Sequence, residues 1–196
     1  MDHELRRRAL VERLGELDVD AFLVTRLLHT RYLTGFTGTN GQVFVSAHET
    51  VFLTDGRYVE QARRELPDVA RDAYERSYRP WVADRVRDGV ARIGIEADDL
   101  TVAAHERLVS SIGEDVEVVP IRGAVEALRA VKDDDERDLI RRAQAATDAA
   151  FERVLDLFAV GVSEERIALD LERLLREEGA DGLAFASIVA FGENAA

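Results

Sequence analysis

This sequence of 196 residues predicts an α/β fold, a mixed sheet flanked by helices, on three observations. From the first residue to about 130, apolar spacing switches repeatedly between the helical and the strand period. Gly41–Ser46 and Thr50–Thr54 are strand-like runs joined by Ala47-His48-Glu49, a hairpin signal. Around that hairpin, short apolar runs alternate with amphipathic stretches, the pattern of strand–helix–strand units.

Leu5, Ala9, Leu10, Leu14 and Leu17 have helical spacing and predict an opening helix. Asp20–Thr25 is a short, partly β-branched run that reads as a buried strand. Asp55-Gly56 ends the second strand of the hairpin, and Arg57–Leu66 reads as helix until Pro67 breaks it. Val69–Tyr74 reads as a strand, and Pro80–Val90 as a helix with proline in its first turn. Arg92–Glu96, a helix over Ala103–Ile112 and a strand over Val116–Val119 complete the alternation.

After Gly123 the pattern is mainly helical, with an interruption near the acidic run Asp133-Asp134-Asp135-Glu136. Leu139, Ala143, Ala146, Ala150, Val154 and Leu157 keep one apolar stripe up to the break at Gly161. Ser163 is the expected N-cap of the next helix, with Glu164 and Glu165 in its first turn and Gly179 just past its end. Ile167, Leu171, Leu174 and Leu175 form that helix's stripe, and Leu183–Phe191 is an apolar strand candidate. Two helices and one strand cannot bury their apolar faces as a domain of their own. They either pack back on the preceding residues or begin a second domain.

Composition removes several classes of function. The formal net charge of −13 argues against a nucleic-acid backbone or an anionic membrane as the main partner. The absence of cysteine excludes disulfides, thiolate zinc sites and cysteine nucleophiles. The start is a charged amphipathic helix without the apolar core of a secretory signal, and Leu183–Phe191 is too short to span a bilayer; both fit a cytoplasmic protein.

The search for catalytic motifs is negative. The single lysine, Lys132, follows Val131, so no phosphate-binding GK[ST] exists. Gly35, Gly38 and Gly41 read as turn glycines rather than a dinucleotide fingerprint, and no serine sits in a nucleophile elbow. His48-Glu49 and His105-Glu106 begin like the zinc motif HExxH, but Phe52 and Val109 stand where its second histidine belongs. His3 is terminal, and His29 follows a strand. The carboxylates of Asp133–Asp138 read as a solvated helix start rather than a metal site.

Two groups of residues carry a resemblance. Arg31-Tyr32-Leu33-Thr34-Gly35-Phe36-Thr37-Gly38-Thr39-Asn40-Gly41, followed by Thr54-Asp55-Gly56-Arg57-Tyr58 and Gln61-Ala62, resembles the N-terminal domain of the Xaa-Pro aminopeptidase and prolidase family, whose architecture creatinase shares. Leu128–Asp133, Gly161-Val162-Ser163-Glu164, Phe185–Ala190 and Gly192-Glu193-Asn194 match the same family in order. The resemblance implies a creatinase/prolidase N-terminal domain over residues 1–127. Residues 128–196 would then be the first two helices and first strand of a pita-bread catalytic domain, left incomplete.

Further expectations follow from the resemblance alone. In this family the loop matching Phe36, Thr37, Gly38, Thr39 and Asn40 lies near the active-site mouth, often the partner's in a dimer; the rival reading is a turn that packs only within its own domain. Asp55, Gly56, Arg57 and Tyr58 would be structural, with Asp55 capping the helix that Gly56 opens and Tyr58 and Val59 facing inward. The family hydrolyses the bond before proline in short peptides, using two Mn, Co or Zn ions. Its metal ligands lie beyond the segment matching Gly192-Glu193-Asn194, so no catalytic or metal residue is expected here. The leading expectation is a partial, cytoplasmic, homodimeric Xaa-Pro peptidase, inactive as this chain alone. A non-catalytic dimerisation or peptide-binding module and a creatinase-like amidinohydrolase fragment are the alternatives.

Overall fold

A computed structural model describes residues 1–87 and 89–195. Two compact units emerge, residues 2–131 and residues 132–195.

The first unit is built on strands β1 (Ala21–Val24), β2 (Gln42–Ser46), β3 (Thr50–Asp55), β4 (Ala70–Tyr74), β5 (Arg92–Glu96) and β6 (Glu117–Ile121). Helices α1 (His3–Arg13), α2 (Leu27–Thr34), α3 (Val59–Glu65), α4 (Arg79–Val86), α5 (Val102–Ile112) and α6 (Ala124–Ala130) alternate with them. The six strands form one mixed sheet in the order β4-β3-β2-β1-β5-β6. β2 is antiparallel to both β1 and β3, and its three-residue turn to β3 is too short for any other pairing. β3–β4, β1–β5 and β5–β6 are parallel; α3 crosses from β3 to β4 and α5 from β5 to β6, while β2, β3 and β4 come between β1 and β5 in the chain.

Side chains alternate across a strand, so one strand feeds two core layers. Phe22 and Val24 of β1 join Val43, Val45 and Phe52 under α1, α2, α3 and α6. Ala21 and Leu23 join Phe44, Val51, Leu53, Ile93 and Ile95 under α4 and α5. Phe22, Phe36, Phe44 and Phe52 are all fully buried, the largest single contributions to this core.

Several elements depart from the expected boundaries. In α1, Leu10 and Leu14 are buried, but Leu5 is 63% exposed and Arg6 and Arg7 turn inward instead. The reason is the C-terminus of α2: Arg7 Nη1 donates to Leu33 O at 3.0 Å and Arg6 Nη1 to Tyr32 O at 3.1 Å. α3 begins at Val59, two residues later than read, because Asp55 accepts the Arg57 N–H at 2.9 Å in a tight turn before the helix. Asp55 therefore does not cap α3, correcting that expectation; Tyr58 occupies the N-cap without a side-chain hydrogen bond. α4 ends at Val86, short of the expected Val90.

In the second unit, α7 (Asp134–Leu155) and α8 (Glu164–Glu177) pack through Ala150, Val154, Ile167 and Leu174. Asp133 accepts the Glu136 N–H at 2.8 Å while Glu136 accepts the Asp133 N–H at 3.1 Å, a reciprocal capping box. The acidic run is thus a helix start, as its position implies. Ser163 caps α8, and Gly179 follows it at φ 94°. The expected strand over Leu183–Phe191 does not form among the described residues. An apolar run becomes a strand only when another strand completes its hydrogen bonds, and this segment has none beside it. It runs as irregular chain, with Val189 and Phe191 turned into the α7–α8 core. The upper half of the α7 stripe is open as well, with Leu139 and Ala143 exposed.

Candidate functional site

The loop Phe36–Asn40 joins α2 to β2 and is fastened at every residue. α2 stops at Gly35, which adopts φ 84° and turns the chain. Phe36 is driven into the core, its ring 4.6 Å from that of Phe52 and 5.9 Å, edge-on, from that of Tyr58. Thr37 donates its N–H to Glu65 Oε2 at 2.9 Å and its hydroxyl to Glu65 Oε1 at 2.8 Å. Burial alone would raise the Glu65 carboxyl, but these bonds and one from Gln61 outweigh it and hold it below its ordinary value. Gly38 leaves no room for a side chain: a Cβ there would stand 2.3 Å from the Phe36 ring and 2.8 Å from the Tyr58 ring. Space rather than positive φ requires that glycine. Thr39 shares a hydrogen bond with the Tyr58 hydroxyl.

Asn40 ends the loop and begins a polar ring at the edge of the sheet. Its Nδ2 donates to Asp55 Oδ2 at 2.6 Å and to the Tyr74 hydroxyl at 2.8 Å. Tyr74 donates to Gln42 Oε1 at 3.0 Å, and Gln42 Nε2 returns to Asn40 Oδ1 at 3.2 Å. Thr54 Oγ1 donates to the Asn40 carbonyl at 2.7 Å. Arg57 grips Asp55 twice, Nη2 to Oδ2 at 2.7 Å and Nε to Oδ1 at 3.1 Å. That guanidinium is the main reason the Asp55 carboxyl is lowered to about 2, with the Arg57 N–H and the Asn40 amide adding to it. The structure thus brings Phe36–Asn40 and Asp55, Arg57 and Tyr58 together, and Gly56 serves as the turn between them. Beside the ring lies an open groove of about 650 Å³, whose lining includes Asn40, Arg57, Tyr74, Arg76, Tyr78 and Arg79.

Residues absent from the sequence reading also meet here. Gln42 and Tyr74 complete the ring from β2 and β4; only the strand register reveals them. At the same end of the strands, beyond β1 and β5, His29 is fully buried and its Nδ1 hydrogen-bonds to Glu96. Glu96 Oε2 accepts the N–H groups of Thr25 at 2.6 Å and Arg26 at 2.7 Å, where α2 begins. His29 Nε2 has no hydrogen-bond partner among the described residues and stands 3.6 Å from Glu126. His48 lies exposed in the β2–β3 turn, and His105 sits on α5. No group of three or more His, Cys, Asp or Glu among the described residues is placed to hold a metal ion. Among the described residues, no helix is long and apolar enough to cross a membrane.

The second unit carries an apolar groove of about 830 Å³ between α7, α8 and the segment after them, lined by residues including Leu139, Phe151, Leu171, Leu175 and Ile188.

Known proteins share this architecture. Residues 6–131 match the Creatinase/Prolidase N-terminal domain, and residues 138–196 match Metallopeptidase family M24. An uncharacterised peptidase of Bacillus subtilis, YqhT, is 35% identical over 91% of this chain and 50% of its own length. The Xaa-Pro dipeptidase from Bacillus anthracis superposes with a TM-score of 0.87 at 33% identity, over 92% of this chain and 51% of that one. The N-terminal domain of cytoplasmic peptidase PepQ from Mycobacterium tuberculosis superposes at 0.60 with 36% identity, over 64% of this chain and 98% of that one. The chain spans about half the length of the curated relatives it matches. Its mixed sheet, its glycine-bounded loop and the match over 6–131 place it in the creatinase/prolidase family, as an N-terminal domain followed by the opening of a family M24 metallopeptidase domain.

Proposed function

We propose that this chain is the first half of a cytoplasmic Xaa-Pro peptidase of the aminopeptidase P or prolidase type. The single observation that carries the reading is the M24 match over residues 138–196, in a chain half as long as its relatives. The open faces of α7 and α8 support it, because a helix hairpin with an apolar groove is the surface on which further strands of a domain would pack.

On this reading the whole enzyme hydrolyses the bond before proline in short peptides, with water activated by two Mn, Co or Zn ions. The described residues do not fit that metal pair, for they offer no convergent donor set. No step of hydrolysis is therefore assigned to them. Their part is to build the N-terminal domain and to present the rigid Phe36–Asn40 loop at the mouth of the active site, the partner's in a homodimer.

Two preparations test this: the 196-residue chain, and a chain extended through the reading frame beyond Ala196. With Mn²⁺ or Co²⁺ and Xaa-Pro dipeptides or tripeptides, the extended chain is expected to release the N-terminal residue and the 196-residue chain to release none. Metal-dependent hydrolysis by the shorter chain, or an in-frame stop at once after Ala196 in an intact gene, overturns the reading.

A further inference from the structure

β1 and β5 lie side by side in the sheet, although β2, β3 and β4 separate them in the chain. The crevice beyond the carboxyl ends of two such strands is where open α/β sheets commonly take a ligand. Here Glu96 fills it. Its Oε2 accepts the N–H groups of Thr25 and Arg26 at the start of α2, so the anion that a helix N-terminus favours is already in place.

His29, 0% exposed, meets that carboxylate through Nδ1. A carboxylate that already accepts two N–H groups acts as an acceptor again, so the Nδ1 proton belongs to the ring. Nε2 is equally buried, has no hydrogen-bond partner among the described residues, and stands 3.6 Å from Glu126 Oε1 of α6. A bare lone pair turned towards a carboxylate inside the protein is both unsatisfied and repelled. A second ring proton removes both faults, because an imidazolium donates from each nitrogen. The Glu126 side chain is 40% exposed, and a void of about 10 Å³ whose lining includes Arg26, Glu96, Gly123 and Glu126 leaves it room to close the gap.

The surrounding charges favour the same state. Glu96 ends β5, and Asp99 just beyond it accepts the Thr25 hydroxyl at 2.6 Å. Asp98 is engaged by Arg122 at 3.5 Å. Arg26, at the head of α2, reaches Glu126 at 3.3 Å, and Arg31 of the same helix is exposed. β1 brings no titratable group, and Arg13 of α1 donates to the Ala124 carbonyl at 2.8 Å. Glu96, Asp99 and Glu126 against Arg26 leave an excess of negative charge that a ring proton offsets.

We propose that His29 is a proton-operated latch: protonated on both nitrogens, it ties α6 to α2 and β5 through Glu126 and Glu96, and loss of the Nε2 proton as the pH rises frees α6. The fastening is present while the proton is bound and gone once it leaves. α2 carries the Phe36–Asn40 loop at its other end, so the same proton steadies the helix from which that loop hangs. Nothing in the latch depends on the peptidase reading.

The test is nitrogen-15 NMR of the histidine-labelled 196-residue chain, together with amide exchange, from about pH 5 to about pH 9. At the acid end the His29 ring is expected to carry a proton on each nitrogen. The Ala127 N–H donates to the Gly123 carbonyl at 3.1 Å in α6. As the Nε2 proton is lost, its exchange, corrected for the ordinary effect of pH, should accelerate about tenfold or more, while Ala146 in α7 stays level. Glu126→Gln keeps the shape and removes the charge, and should move the loss of the Nε2 proton about one unit lower in pH, a tenfold weaker hold. His29→Asn can still donate to Glu96 and should leave Ala127 exchange flat across the range. A ring with a single proton throughout, a proton loss that Glu126→Gln does not move, or Ala127 exchange indifferent to the ring overturns the latch. Glu126 lies at the surface, so its variant decides the matter even should His29→Asn fail to fold.

Discussion

The Asn40 side-chain amide lies 2.6 Å from the Asp55 carboxylate and joins the end of the α2–β2 loop to the end of β3. One neutral donor there satisfies an acid that Arg57 already holds from the solvent side. Asn40→Ala should cost about 1–2 kcal/mol in urea unfolding, the loss of a charge-assisted hydrogen bond. Asn40→Asp is expected to be worse at pH 7 than at pH 4, because two facing carboxylates repel until one is protonated. Equal losses at both pH values would show that Asp55 is not the group Asn40 serves.

The titration of Asp55 sets a second expectation. Its carboxyl falls from an ordinary 3.8 to about 2, so its folded form binds a proton less readily than the unfolded chain. The stability it contributes is therefore complete above about pH 4 and disappears as the pH falls through about 2. Asp55→Asn should flatten the stability curve in that window, and the side-chain carboxyl carbon signal of the native protein should titrate near 2. A midpoint near 4 would remove the Arg57 clamp from the account.

What is legible in the sequence follows from range. The hairpin, the capping acids at Asp133 and Glu136 and the turn at Gly35 depend on residues a few positions apart, so spacing and turn chemistry reveal them. The loop Phe36–Asn40 stands out through its glycines and its resemblance to a family. Its partners Gln42 and Tyr74 do not, because Tyr74 reaches Asn40 only through the parallel pairing of β3 with β4. His29 and Glu96 meet across 67 positions, and no local pattern marks either as buried. Leu183–Phe191 misleads for the opposite reason: composition reports an apolar run, whereas a strand is a property of two segments.

Gly38 makes a steric prediction. Gly38→Ala pushes a methyl group into the Phe36 and Tyr58 rings and should lower stability by about 1–3 kcal/mol. Gly56, with nothing within 4 Å of a built Cβ, is the control, and Gly56→Ala should be neutral or stabilise by up to about 1 kcal/mol. Thermal unfolding of the two variants distinguishes packing from chain entropy; similar shifts would mean that the rings move aside.

Glu96 is the buried acid with most to lose. Glu96→Ala strips the Thr25 and Arg26 N–H groups and His29 of their acceptor at once, and about 2–4 kcal/mol of stability should go with it. Glu96→Gln keeps one acceptor oxygen and should lose less. Amide exchange of Thr25 and Arg26 gives the local readout, and unchanged protection in Glu96→Ala would contradict the assignment.

The second unit should behave as an open surface. Phe185 is 76% and Ile188 89% exposed, so Phe185→Ser and Ile188→Ser together should leave the free energy of unfolding within about 0.5 kcal/mol of the parent. The same pair should reduce the binding of a hydrophobic dye. A large stability loss would show that these side chains are packed in solution.

The two ends of the sheet carry a further consequence. Pro120 stands in β6 opposite Ile95 and has no N–H, so a seventh strand added outside β6 would meet a missing donor. At the other end, Arg71 and Asp72 place opposite charges on β4, with Asp72 engaged by its own residue's neighbour Ala73 and by the Trp81 indole at 2.8 Å. Both borders are thus unattractive to a stray strand. The sheet ends at six strands because its outermost residues refuse growth, which keeps concentrated or newly made chains from zipping together edge to edge.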